Sequence, residues 1–510
     1  MASIAAAAPE RGAASPLAVT FIVMIGTFMT VLDSTIANVA LPHMQPSLNA
    51  AADTITWVLT SYIVATAIAI PLTGWLAARI GRRTLFLWSV ALFTAASALC
   101  GLAQSLEQMV AFRILQGAAG AFLAPLGQAY VLDAWPPEKH GPAMAWWGVG
   151  IMVGPILGPV IGGWLTDSFD WRWVFLINLP FGIICFVLAA AALPQPVLPQ
   201  RRFDMTGFAL LAVGVGALQL CLDRGQQLDW LDSWEVRIEA GVAIAALWAF
   251  GVHSWLVPAG LLDQRMLRDS NTVTGFLFIT LTGLLLVGTT ALIPTMMQAL
   301  FGYPVITTGI MQMPRGVGMM ITMMLAGQLV GRGADPRLMI GAGFLMTAAA
   351  LWGMSLFSPE QSAWPFGVTG FFQGAGLGLV FVPLNTIAFA SLPMALRTDA
   401  SAFFMLLRNL GGSVGISLGV GILARQMQVA HADLGGNLSP FEVPWADAGL
   451  LQALGGDAII EMLDLTVNRQ AAMVAYIDVF RLMAVVTLCF LPLLLLLKKP
   501  KSAEVVHLAD

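Results

Sequence analysis

A few charged residues of this sequence lie inside long apolar segments, where burying a charge is expensive. Asp33 interrupts the apolar run of residues 17–40, and Arg113 interrupts the run of residues 108–132. A charge at the centre of a bilayer costs about 2.5–3.5 kcal/mol on insertion scales, so each such residue is a candidate functional site. A carboxylate beside a guanidinium can take up and release a proton, and this is the chemistry that the pair would perform.

Composition indicates that lipid surrounds much of the chain. Apolar residues (AVILMFWYC) make up 58% of the 510 residues and charged residues 10%, whereas about 25% of the residues of a soluble protein are charged. A net charge of −4 argues against binding to nucleic acid. The four cysteines lie singly in apolar runs, without the spacing of a metal site or a disulfide framework. We therefore predict an all-α membrane protein with no metal and no cofactor.

The spans follow from the length of the apolar segments, because a membrane-spanning helix needs about 20 mostly apolar residues. On this criterion we predict fourteen transmembrane helices. Numbered as spans 1–14, they cover residues 17–40, 54–76, 84–103, 108–132, 142–165, 173–193, 206–223, 237–257, 273–299, 306–331, 337–357, 363–391, 398–424 and 472–497.

Lysine and arginine residues set the predicted orientation, because cytoplasmic loops are enriched in them. With the N-terminus in the cytoplasm, the outward loops contain only Arg172, Arg224, Arg237, Arg425 and Arg469. Both termini are therefore expected to be cytoplasmic. The predicted organisation is an N-terminal tail (1–16), a six-helix bundle (17–193), a linker with two extra helices (194–272), a second six-helix bundle with a periplasmic loop (273–497, loop 425–471) and a C-terminal tail (498–510).

Two short segments recur in the two bundles. Residues 74–83 follow span 2 and residues 327–337 follow span 10, with Gly, Leu and Arg at matching offsets. The sequence Leu-Gln-Gly-Ala at 115–118 in span 4 also resembles Phe-Gln-Gly-Ala at 372–375 in span 12. Similar halves are typical of transporters that expose one central site alternately to the two sides of the membrane. This predicts two pseudo-symmetric six-helix bundles.

Several motifs resemble those of the major facilitator superfamily, in particular its fourteen-helix branch of EmrB-type drug:proton antiporters. Residues 74–83 resemble the loop 2–3 motif, 113–117 the R-x-x-Q-G motif of span 4, 154–163 the antiporter motif of span 5, and 32–40 the span 1 motif. The motifs follow in the family's order, and the resemblance extends over about residues 17–497. Ala78 departs from the pattern, because the family usually has an aspartate there that forms a gating ion pair.

The resemblance implies an exporter driven by the proton gradient, located in the inner membrane of a bacterium. It also implies a periplasmic adaptor protein and an outer-membrane channel as partners. The acidic outward loop 425–471 would be their docking surface or only a solvated linker. The motif residues expected to act in gating are Gly74, Arg79, Gly81, Arg82, Arg83, Gly154, Pro155, Gly158, Pro159, Gly162 and Gly163. For the span 5 residues, close packing without gating is the alternative.

Asp33 and Arg113 are expected at matching depths in the N-terminal bundle. Asp33 lies about seven residues, roughly 10 Å, from the outer end of span 1, and Arg113 lies about five residues from the outer end of span 4. We predict that Asp33 is the proton site, that Arg113 tunes its proton affinity, and that a bound cationic compound competes with the proton for this carboxylate. The alternative is a purely structural ion pair.

Further polar and aromatic residues are candidates for the wall of a substrate cavity. These are Asn38, Trp57, Tyr62, Gln116, Arg315, Phe371, Gln373 and Arg408. For Arg315 and Arg408, structural pairing across helices is the alternative. Asp133 and Asp223 lie at span ends, where we expect them to be solvated.

The sequence as a whole predicts a proton-driven exporter of amphipathic, drug-like compounds that works by alternating access. An exporter of one endogenous metabolite or lipid would have nearly the same sequence features, and the span 5 motif argues against a proton-coupled uptake symporter. An enzyme is not indicated, because the sequence has no nucleotide-binding loop and its five histidines are scattered.

Overall fold

The computed structural model describes residues 15–51, 54–195, 202–257, 260–436 and 456–498, and these residues form helices and no β-strand. We number the long helical segments by span. They are α1 (Pro16–Ser47), α2 (Trp57–Ile80), α3 (Arg82–Gly101), α4 (Leu106–Ala134), α5 (Pro137–Ser168), α6 (Trp173–Ala192), α7 (Met205–Arg224), α8 (Trp234–Leu256), α9 (Ser270–Phe301), α10 (Val305–Gly331), α11 (Pro336–Met354), α12 (Trp364–Phe389), α13 (Met394–Gly436) and α14 (Gly456–Phe490).

Thirteen of the described helical segments are long and apolar enough to cross a membrane. The remaining segment, α10, has 27 residues, which is enough length for a crossing. It is not among the thirteen, because polar residues such as Arg315 and Gln328 lower its mean hydropathy. A multi-pass, all-helical protein is therefore confirmed, while the count of fourteen spans and the cytoplasmic position of the termini stay predictions.

Helix ends follow local sequence signals. The side chain of Ser105 accepts a hydrogen bond from the backbone of Gln108 at the start of α4, and Asp335 accepts one from Arg337 at the start of α11. Such caps satisfy backbone N–H groups that have no partner in the first helical turn. Gly81 separates α2 from α3 with a φ of 89°, which a residue with a side chain rarely adopts. This glycine lets α3 begin directly where α2 ends.

The helices before and after α7–α8 pack chiefly within two groups, which we call the N half (α1–α6) and the C half (α9–α14). In the N half, α1 packs against α5 and α2 against α4; in the C half, α9 packs against α13 and α10 against α12. The extra helices α7 and α8 pack against each other, and α7 also contacts α2 and α13. The two halves meet where α5 packs against α10 and where α13 contacts α2 and α4.

The segment predicted as a periplasmic loop (425–471) is largely helical where it is described. Helix α13 has 43 residues and continues to Gly436, and α14 begins at Gly456, while residues 437–455 lie outside the described residues. At 1.5 Å per residue, α13 is about 64 Å long, roughly twice the thickness of the hydrocarbon core. Both helices therefore extend well beyond the membrane.

Candidate functional site

Asp33 and Arg113 form a buried ion pair inside the N half. The Arg113 Nη1 atom lies 2.6 Å from Asp33 Oδ2, and neither side chain is exposed. The other carboxylate oxygen, Oδ1, accepts hydrogen bonds from Gln116 Nε2 and Asn178 Nδ2, each at 2.8 Å. The structure thus brings the two predicted proton-coupling residues together, with two amide groups that satisfy the second oxygen.

Contacts with neighbouring helices hold Arg113 in place. Its Nε donates to the carbonyl oxygen of Val58 at 3.0 Å, and its Nη1 donates to Gln116 Oε1 at 2.7 Å. The guanidinium lies over the ring of Tyr62, with 4.1 Å between its Cζ atom and the ring centroid. A cation over an aromatic face is stabilised by the charge distribution of the ring. The pair is therefore bound to α1, α2, α4 and α6 together.

Asn178 is the member of this cluster that the sequence reasoning missed. Its Nδ2 donates to Asp33 and also to Ser97 Oγ at 3.0 Å, which ties α6 to α1 and α3. The available signal was an asparagine near the start of the apolar run 173–193. An amide in a span costs less than a charge and is correspondingly weaker evidence of function.

A cavity of about 140 Å³ lies between the halves, next to this cluster. Its lining includes Tyr62 and Trp147 from the N half and Met405, Arg408 and Asn409 from the C half. Asp33 is not part of the lining, because Tyr62 and Arg113 lie in front of it. In this conformation, a compound in the cavity would contact Tyr62 and not Asp33. The predicted direct competition of a cationic compound with the proton for this carboxylate does not fit the arrangement.

The remaining residues predicted for a substrate cavity lie in different places. Asn38 lines a second cavity of about 650 Å³ between α1 and α9, toward the predicted outer end. Gln116 belongs to the Asp33 cluster. Trp57 packs against Arg224 of α7, and Phe371 contacts Phe372 in an edge-to-face arrangement. Trp57 and Phe371 line neither of these two cavities.

Arg315 and Gln373 form a cluster in the C half that corresponds to the Asp33 cluster. Arg315 donates to Thr290 Oγ1, Thr289 Oγ1 and the carbonyl oxygen of Leu286, at 2.9, 2.9 and 2.7 Å. Gln373 donates to Thr289 Oγ1 at 2.9 Å, as Gln116 of the repeated sequence donates to Asp33. Threonine thus takes the place of the carboxylate. Arg315 makes no ion pair with any residue that the structure describes.

The loop 2–3 motif lies at the predicted cytoplasmic end, where the halves touch. Arg82 is fully buried and forms an ion pair with Asp133 at the end of α4. Arg83 donates to the carbonyl oxygen of Ala190 in α6, whereas Arg79 is exposed. Gly74 is packed so closely against α13 that a Cβ there would overlap the carboxylate of Asp399.

Asp133 joins the two halves, and the expectation that it is solvated is wrong. Besides Arg82 of the N half, it pairs with Arg397 of α13 at 2.9 Å, and only 11% of its side chain is exposed. A second contact between the halves is the hydrogen bond from Gln128 to Asn385. These contacts close the predicted cytoplasmic end although Ala78 lacks the family's carboxylate. Sequence reasoning had assigned a gating role to Arg82, but to none of Asp133, Arg397, Gln128 and Asn385.

The span 5 glycines pack within the N half. A Cβ on Gly154 would lie 3.1 Å from Val31 of α1, and one on Gly162 would lie 3.2 Å from Ile36; Gly158 also packs against α1, and Gly163 has open space beside it. Pro155 and Pro159 lie within the continuous α5. The glycines of α5 that meet α10 of the C half are Gly141 and Gly148. Close packing is thus observed, and gating by residues 154–163 stays a prediction.

Comparisons with known proteins agree with this architecture. The sequence matches the Major Facilitator Superfamily over residues 23–416. It is 36% identical over 429 residues to the multidrug export protein EmrB of Escherichia coli (strain K12), which covers 83% of each chain. It is 34% identical over 494 residues to the probable multidrug resistance protein EmrY of the same strain, which covers 95% of this chain and 96% of the relative.

Solved structures support the fold alone. The human organic anion transporter MFSD10 (TETRAN) is 15% identical, covers 92% of this chain and 99% of its own, and superposes with a TM-score of 0.62. The family match extends over most of the chain, and the relatives cover more than two thirds of it at over 30% identity. This chain therefore belongs to the major facilitator superfamily of membrane transporters and is a relative of the EmrB multidrug export proteins.

Proposed function

We propose that this protein exports amphipathic, drug-like compounds in exchange for protons, by alternating access across a bacterial inner membrane. The relatives named for multidrug export support the substrate range and direction. The observation that carries proton coupling is the carboxylate of Asp33, which is fully buried and held by Arg113, Gln116 and Asn178. A titratable group is costly to bury at this depth, and its presence there therefore indicates a function.

Coupling passes from Asp33 to the cavity through Arg113 and Tyr62. Protonation of Asp33 removes the charge that holds the Arg113 guanidinium, and this guanidinium lies 4.1 Å from the centre of the Tyr62 ring. Tyr62 is part of the cavity wall. A proton on Asp33 therefore alters the position of Tyr62 in the cavity wall without contacting the substrate. In this mechanism, exchange does not require the substrate and the proton to compete for one carboxylate.

The conformation corresponds to the outward-facing state of the proposed cycle. The contacts of Asp133 and Gln128 with the C half close the predicted cytoplasmic end, whereas the larger cavity beside Asn38 lies toward the opposite end. The extensions of α13 and α14 beyond the membrane are the surface that we propose for an adaptor protein, on the supposition that the chain works with an adaptor and an outer-membrane channel.

The test is export by an Asp33→Asn variant in a bacterium that lacks its own pumps and is supplied with the partner proteins. Asparagine keeps the shape of the side chain and cannot be charged. We expect loss of the gradient-dependent efflux of amphipathic dyes, down to the level of cells without the transporter. Asp478→Asn is the matched control, because Asp478 lies at the outer part of α14 in a half-exposed pair with Arg481.

Membrane insertion of both variants is checked by immunoblotting of the isolated membrane fraction, and their folding by size-exclusion chromatography of the purified protein. Full gradient-driven efflux by Asp33→Asn would overturn the assignment of the proton site.

A further inference from the structure

We infer that the central cavity selects amphipathic organic anions, and that Arg408 binds their carboxylate. This inference rests on the proposed exporter and names the charge of its substrates. Of the residues that line the central cavity, Arg408 is the one with a charge. It lies fourteen residues after Met394, about 21 Å along α13, and hence near the middle of the membrane.

The contacts of the half-buried Arg408 differ from those of the buried Arg113 and Arg315. Arg113 is paired with Asp33, and Arg315 donates three hydrogen bonds to α9. Arg408 makes no ion pair or side-chain hydrogen bond with the described part of the chain. Arg408 is half-buried, and an anion that enters the cavity would give its guanidinium the charged hydrogen-bond partner that the described residues do not supply.

The backbone at Arg408 is held firmly against α9. Helices α9 and α13 approach so closely that a Cβ on Gly283 would overlap the carbonyl oxygen of Arg408. The same is true of Gly411 against Thr280 and of Gly415 against Leu284. From this fixed position Arg408 borders the cavity between the halves.

The hydrogen-bonding groups of the wall place an anionic head at Arg408. The hydroxyl groups of Thr27, Ser34 and Thr66 donate to backbone carbonyl oxygens, at 3.0, 2.9 and 3.1 Å. A hydroxyl has one proton, so these groups can only accept from a ligand. The donors that remain are the guanidinium of Arg408, the amide of the adjacent Asn409, the hydroxyl of Tyr62 and the indole N–H of Trp147, which has no hydrogen-bond partner among the described residues. Of these four groups only Arg408 is charged, so it is the one that favours an anion over a neutral compound.

Aromatic and aliphatic side chains form much of the rest of the wall, including Tyr62, Trp147 and Ile151. Such a surface suits the apolar body of an amphipathic ligand. The carboxylate of Asp33 does not oppose an anion, because Arg113 neutralises it and the pair lies behind Tyr62.

The test measures binding without a proton gradient. The purified protein, in nanodiscs of zwitterionic lipid, is titrated by calorimetry with 2-naphthoate, with the neutral 2-naphthamide and with the cation (2-naphthylmethyl)trimethylammonium; empty nanodiscs supply the blank. We expect 2-naphthoate to bind at least about tenfold more tightly than the amide, as a hydrogen-bonded charge pair provides. Arg408→Gln should erase this preference, and Arg408→Lys should keep part of it.

The control is Arg481→Gln, which removes an arginine from the outer part of α14, away from the cavity, and should leave the preference unchanged. Equal binding of naphthoate and naphthamide, preferred binding of the cation, or an unchanged preference in Arg408→Gln would overturn the inference. Acetate that binds as tightly as naphthoate would also overturn it, since the site would then take small anions in general.

This result is independent of the efflux test. Arg408→Gln should lose the preference for naphthoate in nanodiscs, and Asp33→Asn should lose gradient-driven export in cells. Failure of proton coupling and failure of anion selection are therefore distinguished by two different measurements.

Discussion

The carboxylate of Asp33 is stabilised by a set of neutral and charged donors, each of which should contribute measurably. Replacing Asn178 by Ala removes one of two amide donors to Oδ1 and the donor to Ser97 Oγ, while Ser97 keeps its own bond to the carbonyl oxygen of Phe175. Loss of a buried hydrogen bond to a charged group costs about 1–3 kcal/mol. We expect a lower unfolding temperature for Asn178→Ala, measured by tryptophan fluorescence in detergent.

The matched change is Asn468→Ala. Asn468 also donates to an aspartate, Asp464, but both side chains are exposed, and surface substitutions usually stay within about 0.5 kcal/mol. Equal destabilisation by the two variants would mean that burial adds nothing to the Asn178 bond.

At this scale, the sequence predicted the charged members of the site better than the neutral ones. Asp33 and Arg113 stand out because charges are rare and costly in lipid, and the structure places them in contact. Whether Trp57 and Phe371 border a cavity could not be predicted in this way. The sequence of a helix that is apolar all round does not reveal which side faces a cavity and which faces lipid. The aromatic residues of such a helix therefore did not indicate where the cavity lies.

Among the helices, the extra pair α7 and α8 is linked at one end by Asp204, in addition to the packing of the two helices against each other. Asp204 caps α7 by accepting from the backbone of Gly207 at 2.8 Å, and it also accepts from the backbone of Leu261 at 3.0 Å. His253 of α8 contacts the same carboxylate at 2.8 Å. Partial burial alone would raise the pKa of Asp204, but the hydrogen bonds outweigh it and the pKa lies below its ordinary value.

The lowered pKa gives a direction for the dependence of stability on pH. The charged form of Asp204 stabilises the fold at every pH above the ordinary value of about 3.9, and this stabilisation is lost as the pH falls through the lowered pKa. Asp204→Ala should cost about 1 kcal/mol at pH 7, as the loss of a helix cap does.

Unfolding temperatures at pH 7, 5 and 3.5 provide the measurement. The difference between the wild type and Asp204→Ala should persist at pH 5 and shrink below about pH 4. Asp204→Asn should recover part of the loss at pH 7, since asparagine is also a good cap. A difference that has already vanished at pH 5 would contradict this account.

The lengths of the helices show what apolar patterns can predict. The predicted spans agree with the helices within a few residues over most of the chain, because apolar length marks where lipid begins and ends. The extension of α13 to Gly436 was not predicted. Outside lipid, a helix is stabilised by packing against a neighbour, here α14, and a polar sequence does not reveal that contact.

For the whole molecule, the repeat predicted two similar halves but not that equivalent positions in them have different partners. Gln116 and Gln373 occupy repeated sequences, yet one donates to Asp33 and the other to Thr289. The buried carboxylate of Asp33 lies in the N half, and Arg408, which borders the central cavity, lies in the C half. In the proposed mechanism the proton site and the anion site therefore lie on opposite halves, and Arg113 and Tyr62 connect the first to the cavity between them.

Closure of the predicted cytoplasmic end depends on Asp133, which pairs with Arg82 of the N half and Arg397 of the C half. Asp133→Asn removes the shared charge and leaves two arginines close together. Hydrogen bonds to a charged group contribute about 1.5–3 kcal/mol, so the population open at this end should rise at least about tenfold. The measurement is the distance between spin labels at Arg79→Cys and Arg332→Cys, both exposed.

The native cysteines are replaced by serine in this background, so that only the two introduced positions carry labels. Asp133→Asn should shift the distances toward longer values, whereas Asp170→Asn, in an exposed pair with Arg172 at the opposite end, should leave them as in the wild type. An unchanged distribution in Asp133→Asn would show that the hydrogen bond from Gln128 to Asn385 and the packing of α5 on α10 suffice for closure. Asp133 would then not replace the gating ion pair that the family's aspartate forms and that this chain lacks at Ala78.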